Sequence, residues 1–324
     1  ISENKIDADA FVGGSFAKNT LVKENGLYDI DVLVRFDWKY EDLSEILHEV
    51  LKKTCEEIKL RLERVHGSRD YFKVYNYDNK GYFEVVPVTR IKKPKEERNV
   101  TDLTYFHVPY VKKKIKGLEN QVRLTKVFMR AQKVYGAETY VKGFSGYAVE
   151  LLIIYYKSFL KMLKELSKVK IGDRLIIDIE KHYKKKDEIF IEMNESKLHS
   201  PVILVDPTYK ERNALAALSD ETFHKFQESV HRFLKNPSEK FFSEQKIDVE
   251  KLKKESEKKK AEFLHLRAST YKQAGDIAGT KLKKFSNNLV SEIGEYFNIL
   301  KYEFDYSGEQ KADVYLVLKS KKEF

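Results

Sequence analysis

The sequence predicts an α+β chain of several domains: an α/β head over residues 1–102, a largely helical middle over 103–244 and an α/β C-terminal region over 245–324. Three observations carry this. An alternating strand, "YDIDVLV", is followed by a helix and two further strands; a series of amphipathic and apolar helical stretches comes next; and a charge-dense segment then leads into a β-α-β-β pattern. With 324 residues, 42% of them hydrophobic, the chain can fill more than one core.

The first strand is expected at 29–36, where Ile30, Val32 and Val34 share one face and Asp29 and Asp31 the other. "DLSEILHEVLKKTCEEIKLRLERV" follows as a helix over about 42–64, with Leu43, Ile46, Leu47, Val50, Leu51 and Cys55 at helical spacing. Strands are expected at 70–77 and 81–91, joined by the turn signal "DNKG", and "KKPKEERN" (92–99) makes a polar link. In the middle region, 119–136 reads as an amphipathic helix ending at a glycine cap, and 145–166 as one central helix, apolar on nearly all sides. Ser219, followed by Glu221 and Thr222, marks the start of a helix over 219–236. Arg212 and Asn213 are placed at a helix start after a turn. Beyond 245, "FLHLRA" (263–268), a long helix around 277–297, "ILKYEFDYS" (299–307) and "ADVYLVLKS" (312–320) complete the C-terminal region.

Bulk properties narrow the functional classes. The net charge of +10 favours a polyanionic partner. A single cysteine, Cys55, excludes an intrachain disulfide framework and points to an intracellular setting. The best apolar run, "YAVELLIIYY", is too short for a membrane span and contains Glu150, so no membrane partner is expected.

The chemistry begins at Asp29 and Asp31. Two carboxylates on one strand face repel each other, and holding them there costs energy unless a cation neutralises them. Oxygen ligands of this kind suit Mg²⁺, which keeps open positions for water and phosphate. Glu84, an isolated acid in "YFEVVPV", supplies a third carboxylate if its strand lies beside 29–34. Such a cluster can hold two metal ions for an in-line displacement at phosphorus; ordinary solvated acids on an exposed strand are the alternative. The "GGS" turn at 13–15 permits close backbone approach to a phosphate, and Ser15 adds a hydroxyl. On the helix at 119–136, Arg123, Lys126, Arg130 and Lys133 form one basic stripe, able to grip phosphates or simply to stay solvated. A glycine–serine turn, a strand bearing two alternate acids and a second acidic strand some fifty residues on follow in the order of the nucleotidyltransferase superfamily, whose polymerase-β-like core has a mixed sheet flanked by helices.

The stretches "FVGGSFAKNTLV", "YDIDVLV", "YFEVVPV", "TYFHVPYV", "ENQVRLTKVFMRAQKVYGAETYVKGFSGYAVELLIIYY", "VDPTYKERNALAALS" and "RFLKNPSEKFF" together resemble the archaeal, class I tRNA nucleotidyltransferases, the CCA-adding enzymes. The resemblance covers about residues 11–242 and continues more weakly to the end. It implies stepwise addition of C, C and A to the 3′ end of tRNA from CTP and ATP with Mg²⁺, in the cytoplasm. It implies that Asp29, Asp31 and Glu84 are the metal carboxylates, and that Ser15 and Lys18 face the triphosphate. Thr104, His107, Lys126 and Tyr135 would line the nucleotide site, with Arg212 near the incoming base. Two positions depart from the pattern: Glu84 stands for the usual aspartate and Lys18 for the usual arginine, which loses the planar fork that grips phosphate. The resemblance also implies a chain shorter than typical members, with a truncated C-terminal tRNA-binding domain. A poly(A)- or oligoadenylate-type transferase on the same core, or a non-catalytic RNA-binding relative, are the rival readings. Oligomeric state is not readable from the residues, a homodimer being one option.

Overall fold

Alternation of apolar and polar residues lays down the strands of the head, and their pairing follows from which face each can bury. The computed structural model describes residues 5–23, 26–77, 80–170, 172–244 and 246–321. The head contains β1 (Ala8–Val12), α1 (Gly14–Ala17), β2 (Tyr28–Phe36), α2 (Leu43–Glu57), β3 (Arg61–Val65), β4 (Tyr71–Tyr75) and β5 (Gly81–Thr89). The strands form one mixed sheet in the order β1-β2-β5-β4-β3. Only β2 and β5 run parallel; the other three pairs are antiparallel. Val34, Phe36, Phe72, Val74 and Val85 face α2, where they meet Leu43, Leu47 and the buried thiol of Cys55. The opposite face carries Leu33, Val86 and Val88, with Phe11 edge-on to Tyr105. Asp29 and Asp31 lie on that second face, as the two-residue period requires.

The helix expected over 42–64 is shorter. It ends at Glu57, Lys59 takes a left-handed φ of 56°, and Arg61–Val65 turn back as β3 against β4. The two later strands hold, as Tyr71–Tyr75 and Gly81–Thr89, and residues 78 and 79 of their connecting turn lie outside the described residues.

The middle region adds α3 (Thr104–Lys114), α4 (Glu119–Ala131), α5 (Gly146–Tyr156), α6 (Phe159–Leu166), β6 (Leu175–Asp178), α7 (Lys186–Glu192), β7 (Val202–Asp206), β8 (Tyr209–Asn213) and α8 (Asp220–Lys235). Its core gathers Val122, Phe128, Met129, Leu151, Leu152, Met162, Leu163, Leu204 and Phe226 from five of these elements. β6, β7 and β8 make a small sheet with β7, buried along its whole length, in the centre. Ser219 caps α8 as expected, its Oγ accepting from the Thr222 amide.

Three expectations for this region are corrected. The central apolar helix is two helices: Lys157 adopts a left-handed φ of 66°, Ser158 is extended, and the chain is redirected so that Phe159, Met162, Leu163 and Leu166 meet the core that α5 already occupies. α4 stops at Ala131 without a glycine cap; Lys133 supplies the left-handed turn and Gly136, at φ 117°, lies in the loop beyond. Arg212 and Asn213 sit on β8, in a hairpin with β7, rather than at a helix start, because Asn213 Oδ1 accepts the Leu204 and Leu215 amides and pins the strand.

The head and middle region cluster as one unit, Ile1–Tyr135 with Phe144–Phe242, and Gly136–Gly143 with Ser243–Phe324 form a second. In the second unit, α9 (Val249–Lys258), β9 (Glu262–Ser269), α10 (Asp276–Tyr296), β10 (Phe297–Tyr306) and β11 (Lys311–Ser320) give the expected β-α-β-β order, with an antiparallel sheet β10-β11-β9. Leu264, Leu266, Val314, Leu316 and Leu318 pack with Val290 and Ile293 of α10. The 136–143 segment belongs here through Tyr140, whose ring is edge-on to Tyr306 over Gly279. Among the described residues, no helix is long and apolar enough to cross a membrane.

Candidate active site

The turn "GGSFAK" wraps the end of β2. Gly13 donates its amide to the Asp31 carbonyl at 2.9 Å, which brings the turn down onto the acidic face of the strand. Gly14 then has φ +57°, and a Cβ there would stand 1.5 Å from Asp31 Oδ2. Glycine is required on both counts: the left-handed backbone, and the space that the carboxylate occupies. Behind this turn lies a cavity of about 210 Å³, lined from the head by Gly14, Ser15, Lys18, Val22, Asp29 and Asp31 and from the helices by Lys126, Arg130, Tyr135, Gly146, Tyr147 and Glu150. Whole small-molecule pockets run to about 300–1,000 Å³.

The sheet register settles where the third acid falls. Asp31 is opposite Glu84 across the parallel β2–β5 pair, and Asp29 is opposite Tyr82, so Glu84 shares the acidic face. It does not line the cavity, and among the described residues no three His, Cys, Asp or Glu side chains stand close enough to hold a metal ion. Asp29 and Asp31 do line it together. Burial, then the charge of Asp29, pushes the Asp31 carboxyl up to about 6, against the pull of Lys18 and Lys126. A carboxylate pair under that strain, in a cavity lined by no His or Cys, fits Mg²⁺, which binds through one or two carboxylates with water and phosphate completing its shell.

The floor of the cavity is a second charged group, which reading the sequence missed. Glu150 is fully buried on α5. It accepts from Lys18 Nζ at 2.6 Å and Thr20 Oγ1 at 2.6 Å, and lies 3.5 Å from Lys126 Nζ. Lys126 Nζ also donates to the Thr20 carbonyl at 3.1 Å. Burial raises the Glu150 carboxyl, but the two ammonium groups and their hydrogen bonds overcome it and hold it below its usual range. Burial lowers Lys126 against the pull of Glu150. Two buried cations share one anion, leaving a positive charge beside the two aspartates. Gly146, at the start of α5, makes room: a Cβ there would be 2.7 Å from the Tyr135 hydroxyl.

The basic stripe on α4 is used for docking rather than left open. Arg123 donates to the carbonyl and side chain of Asn19, and Arg130 to the carbonyls of Val22 and Lys23. Lys133 lies past the end of the helix. The stripe therefore clamps the segment after the Gly-Ser turn onto the helical region.

On the far side of Tyr147 is a third cluster, also missed, centred on Asp206 at the end of β7. Its carboxylate, 0% exposed, accepts from the Tyr147 hydroxyl, His107 Nε2, Arg212 and Thr208. Burial raises it, but His107, Arg212 and the Thr208 amide hold it well below the usual carboxylate range. His107, on α3, is buried and stacks on Tyr147 with ring centroids 3.9 Å apart. Burial pushes its imidazole down, with Asp206 pulling the other way. Thr104 begins α3, and its Cγ2 lies 3.8 Å from where a Cβ on Gly13 would be. The structure thus brings Ser15, Lys18, Asp29, Asp31, Lys126 and Tyr135 to one cavity, joins His107 and Arg212 to it through Tyr147, and leaves Glu84 and Thr104 at its edge. One signal for Glu150 was present: it is the single charged residue in "GYAVELLIIYY".

A mixed five-stranded sheet with paired aspartates under a Gly-Ser turn defines a nucleotidyltransferase-like fold. Solved structures agree on the fold: a Cid1 poly(U) polymerase with Mg and 3′-dATP bound matches with TM-score 0.53 at 13% identity, over 74% of this chain and 87% of that one. A cytoplasmic RNA terminal U-transferase matches with TM-score 0.52 at 13% identity, over the same shares. Residues 120–243 match the family model for the tRNA nucleotidyltransferase second domain. A CCA-adding enzyme of Nanoarchaeum equitans is 41% identical over 70% of this chain and 56% of its own. One of Methanosarcina mazei is 33% identical over 98% of this chain and 67% of its own. The chain belongs to the CCA-adding enzyme family, and spans between 49% and 67% of the length of the curated relatives reported for it.

Proposed function

We propose that this chain adds C, C and A, one at a time and without a nucleic-acid template, to the 3′ end of tRNA, taking CTP and ATP as substrates in the cytoplasm. The observation that carries the reading is the pairing of Asp29 and Asp31 in one cavity with Lys18 and Lys126, so that acids and ammonium groups face the same small volume. Membership of the CCA-adding family supports the choice of substrates.

The tRNA 3′-hydroxyl attacks the α-phosphate of the nucleotide; the new P–O bond forms as the bond to the β-phosphate breaks, and pyrophosphate leaves with that electron pair. Mg²⁺ at Asp29 and Asp31, with Glu84 beside them, would lower the pKa of the attacking hydroxyl and stabilise the leaving oxygens. Glutamate is one methylene longer than the family's usual aspartate and can reach in from the neighbouring strand. Ser15 and the turn around it take the triphosphate. Lys18 and Lys126, fixed by Glu150, neutralise charge developing on it. Lysine at position 18 acts as a point charge, so Glu150 does the orienting that a planar arginine fork would otherwise do for itself. Tyr135, Thr104, His107 and Arg212 form the nucleoside side, and the basic excess of the chain draws the tRNA backbone.

The test is Asp29→Ala. With a tRNA lacking CCA, CTP, ATP and Mg²⁺, the variant is expected to lose nucleotide addition while keeping its fold by circular dichroism. Undiminished addition by the variant would remove the basis of the proposal.

A further inference from the structure

Thr20 is 0% exposed and is not part of the cavity lining, yet each of its polar atoms is bonded to a residue that is. Its amide donates to the Ser15 carbonyl at 2.9 Å. Its carbonyl accepts from Lys126 Nζ at 3.1 Å. Its hydroxyl oxygen lies 2.6 Å from Glu150 Oε1 and 3.3 Å from Lys126 Nζ. A hydroxyl has one proton to give, and an ammonium only donates, so the proton goes to Glu150 and Lys126 is the donor in the second contact. The Ser15 carbonyl, at 3.5 Å from the hydroxyl, is too far to compete for that proton. One buried residue therefore ties the Gly-Ser turn of the head to α4 and α5.

The hydroxyl stands between two opposite charges. Lys126 Nζ is 3.5 Å from Glu150 Oε1, the same oxygen that Thr20 occupies at 2.6 Å. Removing the hydroxyl vacates a lone pair on the carboxylate and takes an acceptor from the ammonium. Both changes draw Lys126 onto Glu150, since charge-assisted contacts of this kind close to about 2.7–2.9 Å. The lysine's charge would then be spent on the carboxylate rather than offered to the cavity. Lys18 would feel the change as well, because it holds the other oxygen of Glu150 at 2.6 Å.

We propose that Thr20 is a positioning residue for the triphosphate: its hydroxyl keeps Glu150 from capturing Lys126, while its amide fixes Ser15, so that turn and lysine keep one geometry. The inference rests on the reading of this cavity as the triphosphate site of a CCA-adding enzyme. Thr20 does not meet the nucleotide; it acts through Lys126, Glu150 and Ser15. CTP and ATP carry the same triphosphate, so the effect does not depend on the base. The triphosphate is charged before reaction as well as during it, so the loss falls on KM more than on kcat.

The experiment is single-nucleotide addition by the full chain, with CTP on a tRNA lacking CCA and ATP on a tRNA lacking only the final A. Thr20→Val keeps the shape and removes the hydroxyl; Thr20→Ser keeps the hydroxyl and removes the methyl. In the valine variant KM is expected to rise by at least about fivefold for both nucleotides alike, the scale of a lost hydrogen bond to a charged group. In the serine variant KM is expected to stay within about twofold of the parent, the hydroxyl being retained. An inactive or partly unfolded fraction lowers the apparent kcat and leaves KM unmoved. Should the valine variant fail to fold, Thr20→Ala removes the same hydroxyl without filling the site and is judged by the same criterion. An unchanged KM in the hydroxyl-free variant overturns the proposal. So does a rise confined to one nucleotide, or a serine variant as impaired as the hydroxyl-free one, which is the mark of a packing role. Each of those results leaves the functional reading standing, whereas a parent chain that adds neither C nor A overturns that reading and this inference with it.

Discussion

Glu150→Gln removes the only anion, among the described residues, within 4 Å of two buried ammonium groups while keeping the shape of the side chain. Breaking a buried charge network by deleting one partner costs about 3–5 kcal/mol, because the remaining charge is left uncompensated. A second route gives a similar figure. One lysine can shed its proton instead, and discharging an ammonium of ordinary pKa at pH 7 costs about 1.4 kcal/mol for each of roughly three and a half pH units. Burial has already lowered Lys126, which shortens that climb. The glutamine can still accept from Thr20 or from one lysine, which returns about 1 kcal/mol. The expected loss is therefore about 3–4 kcal/mol, a large share of the roughly 5–15 kcal/mol that keeps a domain folded. Urea unfolding at pH 7 measures it as a lower midpoint at unchanged slope. Glu150→Gln with Lys18→Met removes one cation with the anion and should recover at least about 1 kcal/mol of the loss. A loss below about 1 kcal/mol in the single variant, the range of exposed pairs, would show that these charges are solvated and that the cavity floor is not organised as described.

Asp31 should give stability an unusual pH dependence. Its carboxyl is near 6 in the folded chain against an ordinary 3.8, so folding holds the proton; that contribution is complete below about pH 4 and withdrawn as pH rises through about 6. In EDTA at pH 7, Asp31→Asn is expected to raise the urea midpoint by the equivalent of up to about 3 kcal/mol, with little change at pH 4. Gly14→Ala is expected to abolish nucleotide addition with the circular dichroism spectrum retained, because the new methyl takes the place of the Asp31 carboxylate. Lys157→Gly, at the left-handed break between α5 and α6, is expected to raise the urea midpoint by the equivalent of about 1 kcal/mol, since glycine adopts that conformation without strain.

What the sequence disclosed was local. The two-residue period of "YDIDVLV" showed that Asp29 and Asp31 share one strand face, and "GGS" showed where the backbone could come close. The β-α-β-β order of the C-terminal region was readable for the same reason. Helix ends were not, because Lys59, Lys133 and Lys157 take left-handed conformations that residue type gives no reason to expect. Glu150 and Asp206 stayed hidden because their partners are remote in the chain: Lys18 is 132 residues from Glu150, and His107 is 99 from Asp206. The stripe of Arg123, Lys126 and Arg130 was legible as a basic face, but what it touches depends on the loop that tertiary folding lays across it. Lys18 and Lys126 read separately as two cations; that one buried acid binds both is a property of the fold.

The central claim is tested most directly by sequencing the 3′ ends produced on three defined tRNAs, lacking CCA, lacking CA and lacking A, with CTP and ATP offered singly and together. The account predicts C, then C, then A, followed by arrest, with CTP alone extending the first two ends and ATP alone only the third. Continued addition of a single nucleotide past that point, or addition independent of the existing end, would contradict it.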